Sequence, residues 1–302
     1  MIDRRALLAS LAAAGAAAAL PHAAWAQSAP LLTRRIPASG EQLPLVGLGS
    51  WRTFNVGDDA EGRDACAEVM RAFFAGGGRM IDSSPMYGSS QDTIGYGLKK
   101  LNAYDKVFAA DKVWTYSGGA AQAETSRKKW GVTRFDLLQV HNLLSWQEHL
   151  PMLLDMKAKG RIRYVGISTS EGRRHDEFEQ VMRKEPLDFI QVTYNPVERE
   201  SERRILPLAR ERGLAVIINR PFNAGPLVRR AKRHLLPAWA KEIDCTNWAQ
   251  ILLKYVVAHP AVTCAIPATT RVDHVRENIG ASYGRLPDEG MRKRILATVE
   301  RF

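Results

Sequence analysis

FDLLQVHNLLSWQEHLPMLLDMKAKGRIRYVGIS, residues 135–168, holds two apolar runs, FDLLQVH (135–141) and IRYVGIS (162–168), with room for a helix between them. A strand that reads as nearly continuous apolar residues is buried on both faces, as in a parallel sheet covered by helices. Working outward, the unit recurs. Upstream lie LPLVGLG (43–49), RMID (79–82) and KVFAADK (106–112); downstream lie LDFIQVTY (187–194), LAVIINR (214–220) and VTCAIP (262–267), eight runs in all. The gaps hold helical patterns. GRDACAEVMRAFFAGGG spaces Cys66, Val69, Met70 and Phe73 at helical intervals and stops in glycines, TNWAQILLKYVVAHP stops at Pro260, and TRVDHVRENIGA follows the last run. Eight strand–helix units predict an α/β fold, a closed (β/α)8 TIM barrel. An open doubly wound sheet would bring a G-x-G-x-x-G turn after a strand, and GLGSW lacks the third glycine. Ahead of the barrel, LLTRRIPASGEQLPLVGLG reads as an N-terminal β-hairpin around Ser39-Gly40.

With 302 residues and 45% hydrophobic residues, the chain can bury a large core. Its formal charge of +11 is spread over short clusters such as RRAKRH (229–234) and RKRI (292–295), which fit solvated faces or a small anionic ligand rather than nucleic acid. The segment 221–240 reads as a long basic loop at the functional end of the barrel. The first 26 residues stand apart: Arg4-Arg5, an Ala/Leu run, then Ala24-Trp25-Ala26. That is the layout of a twin-arginine export signal, and it implies a periplasmic or exported protein whose barrel domain occupies 27–302. The apolar stretch Ala6–Leu20 has 15 residues, short of the roughly 20 that span a bilayer, so no stable membrane insertion is expected after cleavage. Cys66, Cys245 and Cys264 show no metal-ligand spacing and read as buried thiols; no metal site is expected. The sequence carries no signal for the oligomeric state.

Barrel chemistry sits at the C-terminal ends of the strands. Asp82 ends the second run, Lys112 the third and His141 the fourth, and Tyr87 follows Asp82 on the loop of MIDSSPMYGSS (80–90). Because strand side chains alternate, Asp82 shares a face with Met80, Lys112 with Ala110 and His141 with Gln139. If those faces point inward, the three meet in one mouth with Tyr87 above it. Taken singly, each has a plainer reading: a polar turn at 82–88, a lysine keeping its head in water, a hydrogen-bonded core histidine.

Taken together, these four residues resemble the catalytic tetrad of the aldo-keto reductases. IDSSPMYGSS, LLQVHN, YVGIS and FIQVTYNP match that family's segments in order, from GLGSW (47–51) to IPATTRVDHVRENIG (266–280). The resemblance implies reduction of an aldehyde or ketone by NADPH, with NADH possible. Tyr87 would be the acid, Lys112 the cation that lowers its pKa, Asp82 the partner of that cation, and His141 the group that orients the carbonyl oxygen. It also implies cofactor contacts at Ser168, Thr169 and Gln191, with Arg220 near the site where the family often stacks an aromatic on the nicotinamide; Phe222 reaches that site only if its loop bends back. For an adenosine 2′-phosphate it leaves Thr269, Thr270, Arg271 and His274, with Arg276 nearby, and Asn278 is a further cofactor contact. Here Ala268 replaces the family's lysine, and His274 its arginine. Trp51, Trp114 and Trp146 each follow a barrel strand and are candidates to line a substrate pocket. The chain stops at Phe302, soon after the last helix, so the long C-terminal loop of many members looks shortened, which suggests an open site. A nucleotide-binding or sensing protein without turnover, on the same barrel, is the alternative.

Overall fold

Ten short strands carry the fold of the computed structural model, which describes residues 29–302; the expected export segment, 1–26, lies outside them. Thr33–Arg35 (β1) and Gln42–Pro44 (β2) pair antiparallel around Gly40, whose φ of 81° suits the turn. The other eight strands run in parallel and in chain order. They are Leu48–Gly49 (β3), Met80–Asp82 (β4), Phe108–Val113 (β5), Phe135–Val140 (β6), Ile162–Ser168 (β7), Phe189–Thr193 (β8), Ala215–Asn219 (β9) and Cys264–Ala265 (β10). Bridges from Val46 to Ala265 and from Gly49 to Ala268 close the ring.

The run expected as one strand at 43–49 is divided: its start belongs to the hairpin and its end to the barrel. The closure explains this. Gly47 donates its N–H to the Ala265 carbonyl at 2.8 Å. A Cβ on Gly49 would come within 2.7 Å of the Ile266 carbonyl oxygen, so the last strand approaches to a distance only glycine allows.

Helices follow the strands: Ala60–Ala75 (α1), Ser90–Leu101 (α2), Gly119–Trp130 (α3), Trp146–Ala158 (α4), His175–Lys184 (α5), Ile205–Glu211 (α6), Pro226–Ala231 (α7), Trp248–Val257 (α8), Val272–Ile279 (α9) and Glu289–Val299 (α10). The start of α1 is set by Asp59, whose carboxylate accepts from the N–H groups of Glu61 and Gly62. The segment read as a loop at 221–240 contains the short α7.

Strand alternation makes two cores. Residues such as Ile81, Leu138 and Ile190 face outward into the layer of helices. Met80, Phe108, Ala110, Leu137, Tyr164 and Phe189 fill the barrel, where Ile36 and Leu43 of the hairpin join them and plug one end. Moving toward the C-terminal ends of the same strands, the inward positions become Asp82, Lys112, Gln139 and Gln191, all buried. The apolar filling thus gives way to one polar layer at the mouth. Cys66, Cys245 and Cys264 are buried and unbridged.

Candidate active site

An ion pair lies at the centre of this polar layer. Lys112 Nζ donates to Asp82 Oδ2 at 2.5 Å and to the Ser83 carbonyl at 2.8 Å. The other carboxylate oxygen, Asp82 Oδ1, accepts from Gln191 Nε2 at 2.9 Å and Gln139 Nε2 at 3.4 Å. Ser50 Oγ donates to the Asp82 carbonyl at 2.9 Å. The Lys112 side chain is 0% exposed and that of Asp82 2%, so the charges are out of water and depend on each other. Burial works against the ammonium, but Asp82, Tyr87 and Asp111 outweigh it and raise the Lys112 pKa above its ordinary value.

Tyr87 arrives from Pro85–Tyr87, a single 3-10 turn capped by Ser84, whose Oγ accepts from the Met86 N–H at 3.2 Å. Lys112 Nζ lies 5.4 Å from the centre of the Tyr87 ring. The ring stands edge-on to His141, with centroids 5.7 Å apart and planes at 88°. Burial pushes the Tyr87 phenol up to about 12; Lys112 pulls it down, and Asp82 and Asp111 oppose that pull. Lys112 thus acts on this pKa in the expected downward direction, and desolvation exceeds it, so the net shift is upward. The group is a protonated phenol at neutral pH.

His141 is buried, and burial together with Lys112 holds its pKa well below the ordinary imidazole value, so the ring is neutral. Its Nδ1 lies 2.8 Å from Ser84 Oγ. The Ser84 hydroxyl has a proton to give and a second lone pair, so this bond forms with either imidazole tautomer; when Ser84 donates to Nδ1, the imidazole proton is on Nε2 and His141 is a hydrogen-bond donor toward the cavity.

A cavity of about 540 Å³ opens above these groups. Its lining includes Trp51, Asp82, Tyr87 and His141, then Ser168, Gln191, Asn219 and Arg220, and then Thr269, His274, Glu277 and Asn278. A family model described as the aldo/keto reductase family matches residues 45–294. The chain belongs to the aldo/keto reductase family. It is an NAD(P)H-dependent oxidoreductase. The chain is 28% identical to the methylglyoxal reductase YeaE of Escherichia coli over 255 residues, which cover 81% of this chain and 88% of that protein. It is 24% identical to an NADH-specific methylglyoxal reductase of the same organism, over 84% of this chain and 95% of the relative. A Klebsiella pneumoniae aldo/keto reductase, solved with NADP and acetate, superposes with a TM-score of 0.71 at 25% identity, covering 87% of this chain and 92% of that one.

In this aldo/keto reductase the four tetrad candidates meet as the sequence suggested, and Ser168, Gln191, Arg220, Thr269, His274 and Asn278 all line the cavity. Thr169 does not: its hydroxyl donates to the Arg173 carbonyl at 2.6 Å and its own carbonyl accepts from Asn219 Nδ2 at 2.9 Å. Thr270 and Arg271 are also off the lining, and Arg271 is bound instead to Asp273 two residues on, at 2.5 and 2.9 Å. Two tryptophans are likewise corrected. The backbone of Trp114 is tied on both sides to the Gln122 side chain, and the residue is 41% exposed. The Trp146 indole N–H donates to Glu177 at 2.8 Å, at the start of α4. Only Trp51 lines the cavity, with the Arg52 guanidinium 4.3 Å from its ring centre. The loop after β9 does bend back: Arg220, Asn223 and Ala224 all have positive φ, and Phe222 becomes part of the wall. The sequence reading missed Ser84, although its place before a proline marks it as a cap. It also missed Asp111, a carboxylate beside Lys112 in an otherwise apolar strand.

Proposed function

We propose that this aldo/keto reductase reduces an aldehyde or ketone to the alcohol with NADPH, and with NADH less well, using Tyr87 as the general acid. The observation that carries the reading is the juxtaposition at the cavity end: a protonated Tyr87 beside the buried Lys112–Asp82 pair, edge-on to a neutral His141. The residues present fit a nicotinamide nucleotide, because one cavity is lined both by Tyr87 and His141 and by Thr269, His274 and Asn278. Such a cofactor supplies a hydride, two electrons and one proton, to the carbonyl carbon.

The chain's own residues supply the rest. His141 Nε2–H donates to the carbonyl oxygen and orients it. Tyr87 gives its proton to that oxygen as negative charge develops there, and the alcohol is complete. The resulting phenolate lies beside the Lys112 ammonium, which Asp82 holds in place; a proton from solvent restores the phenol. With Nε2 bound to Asp82, the Gln191 amide oxygen is the end left to a ligand, next to Ser168. Purified protein mixed with NADPH and a panel of aldehydes, ketones and quinones should consume the nucleotide with one equivalent of alcohol formed. Tight nucleotide binding with no turnover on any carbonyl would support a binding or sensing role instead.

A further inference from the structure

Three residues of α9 face the cavity: His274, Glu277 and Asn278, at the i, i+3, i+4 spacing that puts side chains on one helix face. Arg271, Asp273 and Arg276 are not among the lining residues. The cation that the sequence offered for a 2′-phosphate, Arg271, is bound to Asp273. Of the cations that line the cavity, Arg52, Arg173, Arg220, Arg229 and Lys232, it is Lys232 that is paired with a residue of α9. Lys232, just after the last turn of α7, lines the cavity and places Nζ 3.6 Å from Glu277 Oε2. It gets there because the left-handed run at Asn223, Ala224 and Gly225, with φ of 50°, 53° and 106°, turns the chain back and lays α7 along the cavity.

We infer that Lys232 is the specificity-determining residue for the adenosine 2′-phosphate, acting across the cavity against Glu277, with His274 on the same helix face; the inference rests on the nucleotide reading above. The pair is partly exposed, 45% for Lys232 and 32% for Glu277, so a ligand reaches it without unfolding the wall. A 2′-phosphate brings two negative charges to a place where one carboxylate already sits. It is accepted by drawing the flexible ammonium from Glu277 onto its own oxygens. A nucleotide with a plain 2′-hydroxyl leaves the Lys232–Glu277 pair as it is. Lys232 therefore favours the phosphorylated nucleotide and Glu277 opposes it, and the two set a modest preference together.

The test is calorimetric binding of adenosine 2′,5′-bisphosphate and of 5′-AMP, which differ only in the 2′-phosphate, to the mature protein and its variants. Lys232→Ala should weaken the bisphosphate about tenfold, the value of one charged hydrogen bond at a partly exposed site, and leave 5′-AMP within about twofold. Lys232→Arg should restore the difference, Glu277→Gln should tighten the bisphosphate, and Arg271→Ala should change neither ligand. If Lys232→Ala binds the bisphosphate as wild type does, or Arg271→Ala loses as much, the inference is overturned while the nucleotide reading stands. If wild-type protein binds neither ligand, the nucleotide reading fails and the inference with it.

Discussion

Replacing Lys112 with methionine removes one half of a fully buried ion pair and keeps nearly the same volume. Asp82 would keep only its bonds from Gln191 at 2.9 Å and Gln139 at 3.4 Å, both from neutral amides. Leaving one partner of such a pair uncompensated costs about 3–5 kcal/mol, a large share of a normal folding free energy. The carboxyl escapes part of this by taking up a proton. Its folded-state pKa in the variant would then lie above the unfolded value, so that stability is present at low pH and lost as pH rises through the folded pKa. Lys112→Met should therefore unfold at much lower urea than wild type at pH 8, with a smaller deficit at pH 5. The double variant Asp82→Asn/Lys112→Met, with no charge left to bury, should recover much of the loss. Urea melts followed by circular dichroism at both pH values measure this. A single variant within about 1 kcal/mol of wild type at pH 8, or a double variant no more stable than the single, would refute the pair's role.

Asp111 offers the converse case. Its carboxyl is wholly buried, bonded to the Lys112 N–H and Gln91 at 2.7 and 2.8 Å, and burial raises its pKa to about 7. Wild type should thus lose stability as pH rises from about 4 to about 7. The melting temperature of Asp111→Asn should gain on wild type between pH 5 and pH 8, and a pH-independent difference would remove the carboxyl from that account. Ser84→Ala frees His141 Nδ1 and uncaps the turn that carries Tyr87; kcat should fall about tenfold, from the loss of one hydrogen bond, with NADPH binding unchanged, and an unaltered kcat would leave the tautomer assignment without support. We propose that Arg4-Arg5 directs export; replacing both with lysine should leave precursor in the cytoplasm, and a normal periplasmic yield would overturn that reading.

The barrel was legible because strands buried on both faces have to be apolar along their length, and this chain repeats the pattern eight times. The polar ends of those strands were legible for the same reason: Asp82, Lys112 and His141 close runs that are mostly apolar. What could not be read from local pattern depends on tertiary contact or on loop backbone. Nothing within 43–49 shows that Gly47 and Gly49 must admit the last strand. Trp146 follows the strand that carries His141, but Asn142, Leu143 and Ser145 all take positive φ and redirect the chain before it. Lys232 lay in a segment read as a basic loop, and its partner is 45 positions away on α9. Arg271 had a visible rival partner in Asp273. The net pKa of Tyr87 needed the depth of its burial, which no spacing of residues reports.

The central claim is that Tyr87 delivers the proton in the chemical step. It is tested most directly by single-turnover mixing of Tyr87→Phe with NADPH and a good carbonyl substrate, reading nicotinamide absorbance, alongside a binding titration of NADPH. Loss of a general acid removes about 10²–10⁴-fold from the rate. A fall of that size is expected, with the NADPH dissociation constant unchanged. A variant that transfers hydride at half the wild-type rate or faster, in a step shown by a deuterium isotope effect to be chemistry, would contradict it.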